Sequence, residues 1–218
     1  MGTRSNIDPC EFVEAVQPLI ERRDVGALID LVKSRWTAGD VVSLLSSTSC
    51  DARKVAALVM SLIGGKCCIE ELAVALKDPD PMVNEMAEHA LWSIWFRLGN
   101  CESRGCLQRG ADALNDRELD TAIVHFSRAV EIDPTFAEAY NQRAIAMYLA
   151  DRFEDSIRDC ESALKYMPCH FGAWAGLGHC HAYLGRYAEA ASCYLKALDI
   201  NPHLKGIRET LSEIRERS

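Results

Sequence analysis

The 218-residue chain has no apolar run long enough to cross a bilayer, and its opening MGTRSNIDPC lacks the apolar core of a secretory leader. Asn6 stands where an N-myristoylated start needs Ser or Thr. No membrane association and a cytoplasmic location are therefore expected. Nowhere do β-branched and aromatic residues alternate with polar ones, so no sheet is expected. Basic clusters are also missing. The net charge is −8, with 10 basic and 15 acidic side chains in the first 102 residues and 14 and 17 in the rest. Neither half offers the cationic surface that nucleic acid requires, and no nucleic-acid partner is expected. Gly64-Gly65-Lys66 lacks the remainder of a phosphate-binding loop. Ten cysteines are present, but not at metal-ligand spacing. Cys67-Cys68 has no second pair, and Cys160, Cys180 and Cys193 fall inside apolar helical runs. Cys169-His170 and His179-Cys180-His181 are denser. Successive helical residues point about 100° apart, however, so those side chains do not converge on one ion. Reduced thiols, no metal, no cofactor and no catalytic residue are expected.

What the chain does contain is a period. Pro134, Pro168 and Pro202 lie 34 residues apart and close the segments SRAVEIDP, ESALKYMP and LKALDINP. Small residues recur at the same interval: Gly110, Ala144 and Gly178; Ala122, Ser156 and Ala190; Ala129, Ala163 and Ala197. Four residues beyond the second set stand Phe126, Cys160 and Tyr194. Small against large at helical spacing is what two antiparallel helices need to interlock, and a fixed period of this length marks a stacked helical array. With Trp174, Leu177, Gly178, Ala190, Tyr194 and Pro202, the third segment resembles the tetratricopeptide repeat family. Cys106 and Tyr140 stand where Trp174 stands, and Arg109 and Arg143 where Leu177 stands. The resemblance implies three units, 103–136, 137–170 and 171–204. Residues 205–218 then form a capping helix with Ile207, Leu211 and Ile214 on its apolar stripe and Arg208, Glu209, Glu213, Arg215, Glu216 and Arg217 toward water.

The first half carries a different period. Residues 44–64 align with 75–95 at an offset of 31, matching Leu45 with Leu76, Ala56 with Ala87, Met60 with Leu91 and Ile63 with Ile94. Asp8-Pro9 and Asp80-Pro81 read as N-cap and first helical residue. The run LAVALKDPDPMVNEMAEHAL resembles short HEAT-like repeats, with units over about 37–65 and 68–98 and an N-terminal cap before them. The expected fold is an all-α, right-handed helical-repeat solenoid, with HEAT-like hairpins over residues 1–100 and the tetratricopeptide units and cap over 101–218. Gly99-Asn100 is the expected break. Trp92, Trp95 and Phe96 read as core where the last HEAT-like helix meets the first tetratricopeptide helix.

In the tetratricopeptide family the first helix of each unit lines a concave, peptide-binding face. The resemblance puts Arg104, Gln108, Ala111 and Asn115 on that face, then Glu138, Asn141, Gln142 and Ile145, then Ala175, His179 and Tyr183. Amides suit the backbone of an extended peptide because they both donate and accept. One subgroup grips a C-terminal carboxylate with Lys, Asn and Arg. The matching positions here are Leu107, Ala111, Gln142, Gly172 and Gly176, and no cation stands among them. The expected function is a non-enzymatic scaffold that binds a peptide or helix of another protein. Alternatives are a HEAT-like enzyme or accessory subunit of metal-dependent hydroxylase or lyase type, or a self-assembling structural protein. The hydroxylases' repeated His-Glu pairs are absent: Asn84-Glu85 and Arg53-Lys54 hold the comparable places.

Overall fold

A computed structural model describes residues 7–217, with side chains as far as Ile214. Among these residues every regular element is helical, and there is no strand. The helices are α1 (Pro9–Glu21), α2 (Val25–Arg35), α3 (Ala38–Ser43), α4 (Cys50–Ile63), α5 (Ile69–Ala75), α6 (Pro81–Arg97), α7 (Cys101–Asn115), α8 (Leu119–Ile132), α9 (Ala137–Leu149), α10 (Phe153–Tyr166), α11 (Phe171–Tyr183), α12 (Tyr187–Ile200) and α13 (Lys205–Arg217), with short 3-10 turns at Leu44–Ser46 and Lys66–Cys68. The chain divides into two compact units, Met1–Ile94 and Trp95–Ser218, so the division falls inside α6 and not at Gly99-Asn100.

In the first unit the caps are local. The Asp8 carboxylate accepts from the Cys10 and Glu11 amides at 2.8 and 2.9 Å, satisfying donors that α1 cannot pair internally. Asp80 does the same for α6 through the Met82 amide at 2.8 Å. The residues matched at the 31-residue offset face inward: Ala56, Met60, Ala87, Leu91 and Ile94 are fully buried, as are Leu72 and Leu76. A polar net ties α4 to the turn before α6. Arg53 makes a two-point ion pair with Asp78 at 2.7 and 3.1 Å and donates to the Ser47 carbonyl. Lys54 lies 3.1 Å from Asp80, and the Cys50 thiol donates to the same carboxylate at 2.9 Å.

The second unit repeats one design three times. Helices pair as α7 with α8, α9 with α10 and α11 with α12; each hairpin packs on the next, and α13 closes on α12. The turn inside each hairpin uses the left-handed backbone region at Arg117 (φ 63°), Asp151 (φ 58°) and Gly185 (φ 72°), again 34 residues apart. Only the last of these is a residue without steric objection to that conformation. Between hairpins, a side chain six residues after each proline ties down the proline carbonyl. Tyr140 Oη donates to Pro134 O at 3.3 Å, Trp174 Nε1 to Pro168 O at 2.9 Å, and Arg208 to Pro202 O.

Within hairpins the side chains are matched in size. A Cβ placed on Gly110 would lie 2.5 Å from the Phe126 ring, and one on Gly178 would lie 2.5 Å from the Tyr194 ring. The middle hairpin uses Ala144 and Cys160 at the same positions, and Ser156 Oγ donates to Ala144 O at 2.8 Å. Arg143, standing where Leu177 stands in the third unit, forms a two-point ion pair with buried Asp159 at 2.6 and 2.7 Å and donates to Ser127 Oγ at 3.1 Å, joining α8, α9 and α10. On α13, Ile207, Leu211 and Ile214 are buried against Tyr194 and Ala190, while Arg208, Glu209 and Glu213 are exposed. The side chains of Arg215, Glu216 and Arg217, and the opening residues through Asn6, lie outside the described residues.

Two outcomes follow from this packing. Gly178→Ala destabilises by about 1–3 kcal/mol in denaturant melts, because the added methyl meets an aromatic ring held on both sides. Gly206→Ala, in α13 where no atom lies within 4 Å, instead gains about 0.5–1 kcal/mol of helix propensity. Equal effects would remove the close approach as the reason for glycine at 178. The Asp80 carboxyl, held by the Cys50 and Lys54 hydrogen bonds, titrates at about 2 against an ordinary 3.8. A depressed carboxyl stabilises the fold fully above its unfolded value, and that contribution is lost as pH falls through the folded one. Asp80→Asn therefore lowers stability at neutral pH and flattens its decline between about pH 4 and pH 2. Parallel pH profiles for the two proteins would show that the net carries no weight.

Candidate functional site

The expected binding face is spread over α7, α9 and α11, all within the second unit. On α7, Arg104, Gln108 and Asn115 are exposed, and Gln108 Nε2 donates to Asp112 Oδ1 at 2.9 Å. Ala111 is half-buried, and Leu107 is buried in the core of the first hairpin.

On α9 the expectation needs correction. Glu138 and Asn141 are not open surface: each is 1% exposed. The Glu138 carboxylate is saturated by its own chain. Oε1 accepts from Gln142 Nε2 at 2.6 Å and Asn141 Nδ2 at 3.2 Å, and Oε2 lies 2.7 Å from His170 Nε2. The Ala173 amide donates to His170 Nδ1 at 3.1 Å, so the ring proton sits on Nε2 and points at the carboxylate. His170 in turn stacks on Trp95, with centroids 4.0 Å apart and planes inclined by 17°, and Trp95 also meets Phe171 at 5.1 Å. A buried carboxylate is tolerable only when its lone pairs are met in this way. The amides expected to hold a ligand backbone are engaged in holding Glu138. Trp95 thus reaches the start of α11, two hairpins beyond α7, while Phe96 packs on the first hairpin's core.

Toward the other ends of α9 and α11 the face is open and apolar. Ile145 is 37% exposed, Leu149 54% and Tyr183 63%. Tyr183 stacks on Phe153 with centroids 3.9 Å apart. Between the two helices, floored by Ser156 and Cys160 of α10, lies a cavity of about 170 Å³. Asn141, Ile145 and His179 come together at it; Arg104, Gln108, Asn115, Glu138, Gln142 and Tyr183 do not line it. Ala175 packs, half-buried, against the α12–α13 core. His179 Nδ1 lies 2.8 Å from the Tyr194 hydroxyl. Burial pushes the Tyr194 phenol up and the His179 imidazole down, so a protonated phenol meets a neutral ring. The three histidines of the dense segment do not converge. His170 serves Glu138, His179 serves Tyr194, and His181 is half-buried with Nδ1 unbonded.

Five cavity residues were not among the expected face residues: Ala144, Tyr148, Leu149, Ser156 and Cys160. One signal was available. Cys160 stands in the row of Phe126 and Tyr194, and a missing ring in such a row leaves room.

The tetratricopeptide repeat profile matches residues 172–204, the third hairpin. The chain is 28% identical over 108 residues to the Hsp70-Hsp90 organizing protein of Triticum aestivum, an alignment covering 50% of this chain and 19% of that protein. It is 24% identical over 141 residues to a TPR repeat-containing protein of Rhizobium etli, covering 65% and 68%. The chain spans about a fifth to a third of the length of the first curated relatives it matches. Among solved structures, the first TPR domain of Spaghetti (RPAP3) bound to the HSP90 peptide SRMEEVD superposes with a TM-score of 0.53 at 20% identity, covering 53% of this chain and 92% of that one. The Sgt2 TPR domain of Aspergillus fumigatus gives 0.53 at 22% identity, covering 55% and 80%. The profile covers the third hairpin, and the two hairpins before it repeat the same packing at the same 34-residue interval.

Proposed function

We propose that the chain is a non-enzymatic scaffold that holds a segment of another protein against the face of α7, α9 and α11. The observation that carries this reading is the open apolar stretch of Ile145, Leu149 and Tyr183 beside a cavity, on the helices that line the concave face in the repeat family. The solved RPAP3 domain, bound to an HSP90 peptide, supports a peptide as the class of partner. The ligand differs in charge. No cation stands at Leu107, Ala111, Gln142, Gly172 or Gly176. An acidic chain terminus finds no charged partner at these positions, so it is a poor ligand. The first unit is read as HEAT-like hairpins α3/α4 and α5/α6, in a cytoplasmic protein.

The HSP90 peptide SRMEEVD is expected to show no saturable binding to the full chain below about 1 mM in fluorescence anisotropy. A photo-crosslinking residue at Ile145 or Tyr183 is expected to trap partner proteins in native extract, whereas the same residue at Val124, 65% exposed on α8, does not. Trapping through Val124 and not through Ile145 would move recognition to another face. Tight binding of SRMEEVD would overturn the charge argument.

A further inference from the structure

The cavity beside His179 exists because one repeat departs from its neighbours. In the first and third hairpins the large residue of the second helix is a ring, Phe126 or Tyr194, seated on a glycine of the first helix. In the middle hairpin that residue is Cys160, facing Ala144, and the next first helix carries Gly176 beside it. Three small residues therefore meet where the neighbouring units place an aromatic side chain. The space left over, about 170 Å³, opens on the α9–α11 face and is bounded by Ala144, Ile145, Tyr148 and Leu149 on one side and by Gly176 and His179 on the other. An apolar cavity of about 150 Å³ is large enough to hold benzene and too poor in polar partners to hold water well. Burial pushes the Cys160 thiol up, so it presents an uncharged, inert floor. The wall also carries polar groups: Asn141, Tyr148, Ser156 and His179 line the cavity, and His179 Nδ1 is engaged by the Tyr194 hydroxyl.

Resting on the scaffold reading above, we infer that this cavity is the anchor pocket for the bound segment, and that it takes a single apolar side chain of leucine to phenylalanine size. The occupant supplies from outside the ring that Phe126 and Tyr194 supply from within. The class is a peptide residue and not a free hydrocarbon, because the polar groups at the wall ask for a hydrogen-bonding partner next to the apolar group. A residue's own backbone provides one. The neighbouring Ile145, Leu149 and Tyr183 then cover the flanking residues of the same segment.

The test fills the pocket from inside. Ala144→Gly with Cys160→Phe rebuilds in the middle hairpin the glycine-and-ring pairing seen at Gly110 and Phe126, and it is expected to keep or raise the melting temperature. Benzene, titrated into the full-length protein and followed by amide NMR, is expected to shift Ile145, Leu149, Gly176 and His179 saturably, and to leave them unmoved in the filled variant. Peptides selected on the full-length protein from a displayed library of random linear sequences are expected to share one fixed Leu, Ile, Met or Phe. Replacing that residue by Ala, or using the filled variant, weakens binding about 10- to 100-fold, which is what burying one such side chain is worth. If benzene leaves those amides unmoved, or if the selected peptides bind the well-folded filled variant as tightly as the parent, the anchor pocket is wrong while the scaffold stands. If the library yields no binder at all, the scaffold reading itself falls, and the pocket's peptide role with it. Should the double variant not fold, Gly176→Leu, which enters the cavity from α11, takes its place with the same readouts.

Discussion

The second unit depends on how closely the two helices of each hairpin approach. At Gly110 and Gly178 there is no room even for a methyl group, because a ring from the partner helix already occupies that space. Interiors are packed nearly as densely as crystals, so one such contact fixes the separation and tilt of a helix pair. Everything else in the repeat is arranged around this spacing: the left-handed turn residue that reverses the chain, the proline that ends the second helix, and the side chain six residues later that secures the proline carbonyl. The middle hairpin keeps the spacing with a different pair, Ala144 and Cys160, and there the match in size is incomplete. The cavity is that mismatch, preserved because the hairpins on either side hold the geometry.

A second constraint is electrostatic. Glu138, Asn141 and His170 form a set in which both Glu138 oxygens and both His170 ring nitrogens meet groups of the same chain, capped by the Trp95 ring. Polar networks buried at this depth are worth keeping only when complete. The set closes one end of the α9–α11 face and leaves the other end open and apolar. Arg143 and Asp159 act comparably within the middle hairpin, where the third unit uses Leu177 in an apolar core. Two chemistries thus fill one repeat position, and both hold the neighbouring helices at the required distance.

Legibility differed by kind of residue. The helix pairs, their limits, the capping stripe of α13 and the inward faces of the 31-residue repeat could be read from the chain, because each rests on spacing along one helix or on a repeated interval. The proposed binding face could be read only in part. Ile145, His179 and Tyr183 lie where a periodic mapping puts them, but the same mapping sent Glu138 and Asn141 to the surface. Periodicity assigns a side chain to a face of its own helix and is blind to what packs on that face. Trp95, distant in sequence from His170, covers that part of it. The cavity was missed for a related reason: the repeat puts Cys160 in the row of Phe126 and Tyr194, but whether a neighbour fills the place of the missing ring is decided in space.

What the sequence determined by itself is the architecture, since a strict 34-residue period with small and large residues in fixed rows can be satisfied by stacked helical hairpins and hardly otherwise. What only the tertiary structure decided is which part of the shared face stays open. That depends on contacts between residues far apart in the chain, Trp95 with His170, His170 with Glu138, and Cys160 with Gly176, whose energies come from proximity in space and leave no periodic trace along the sequence.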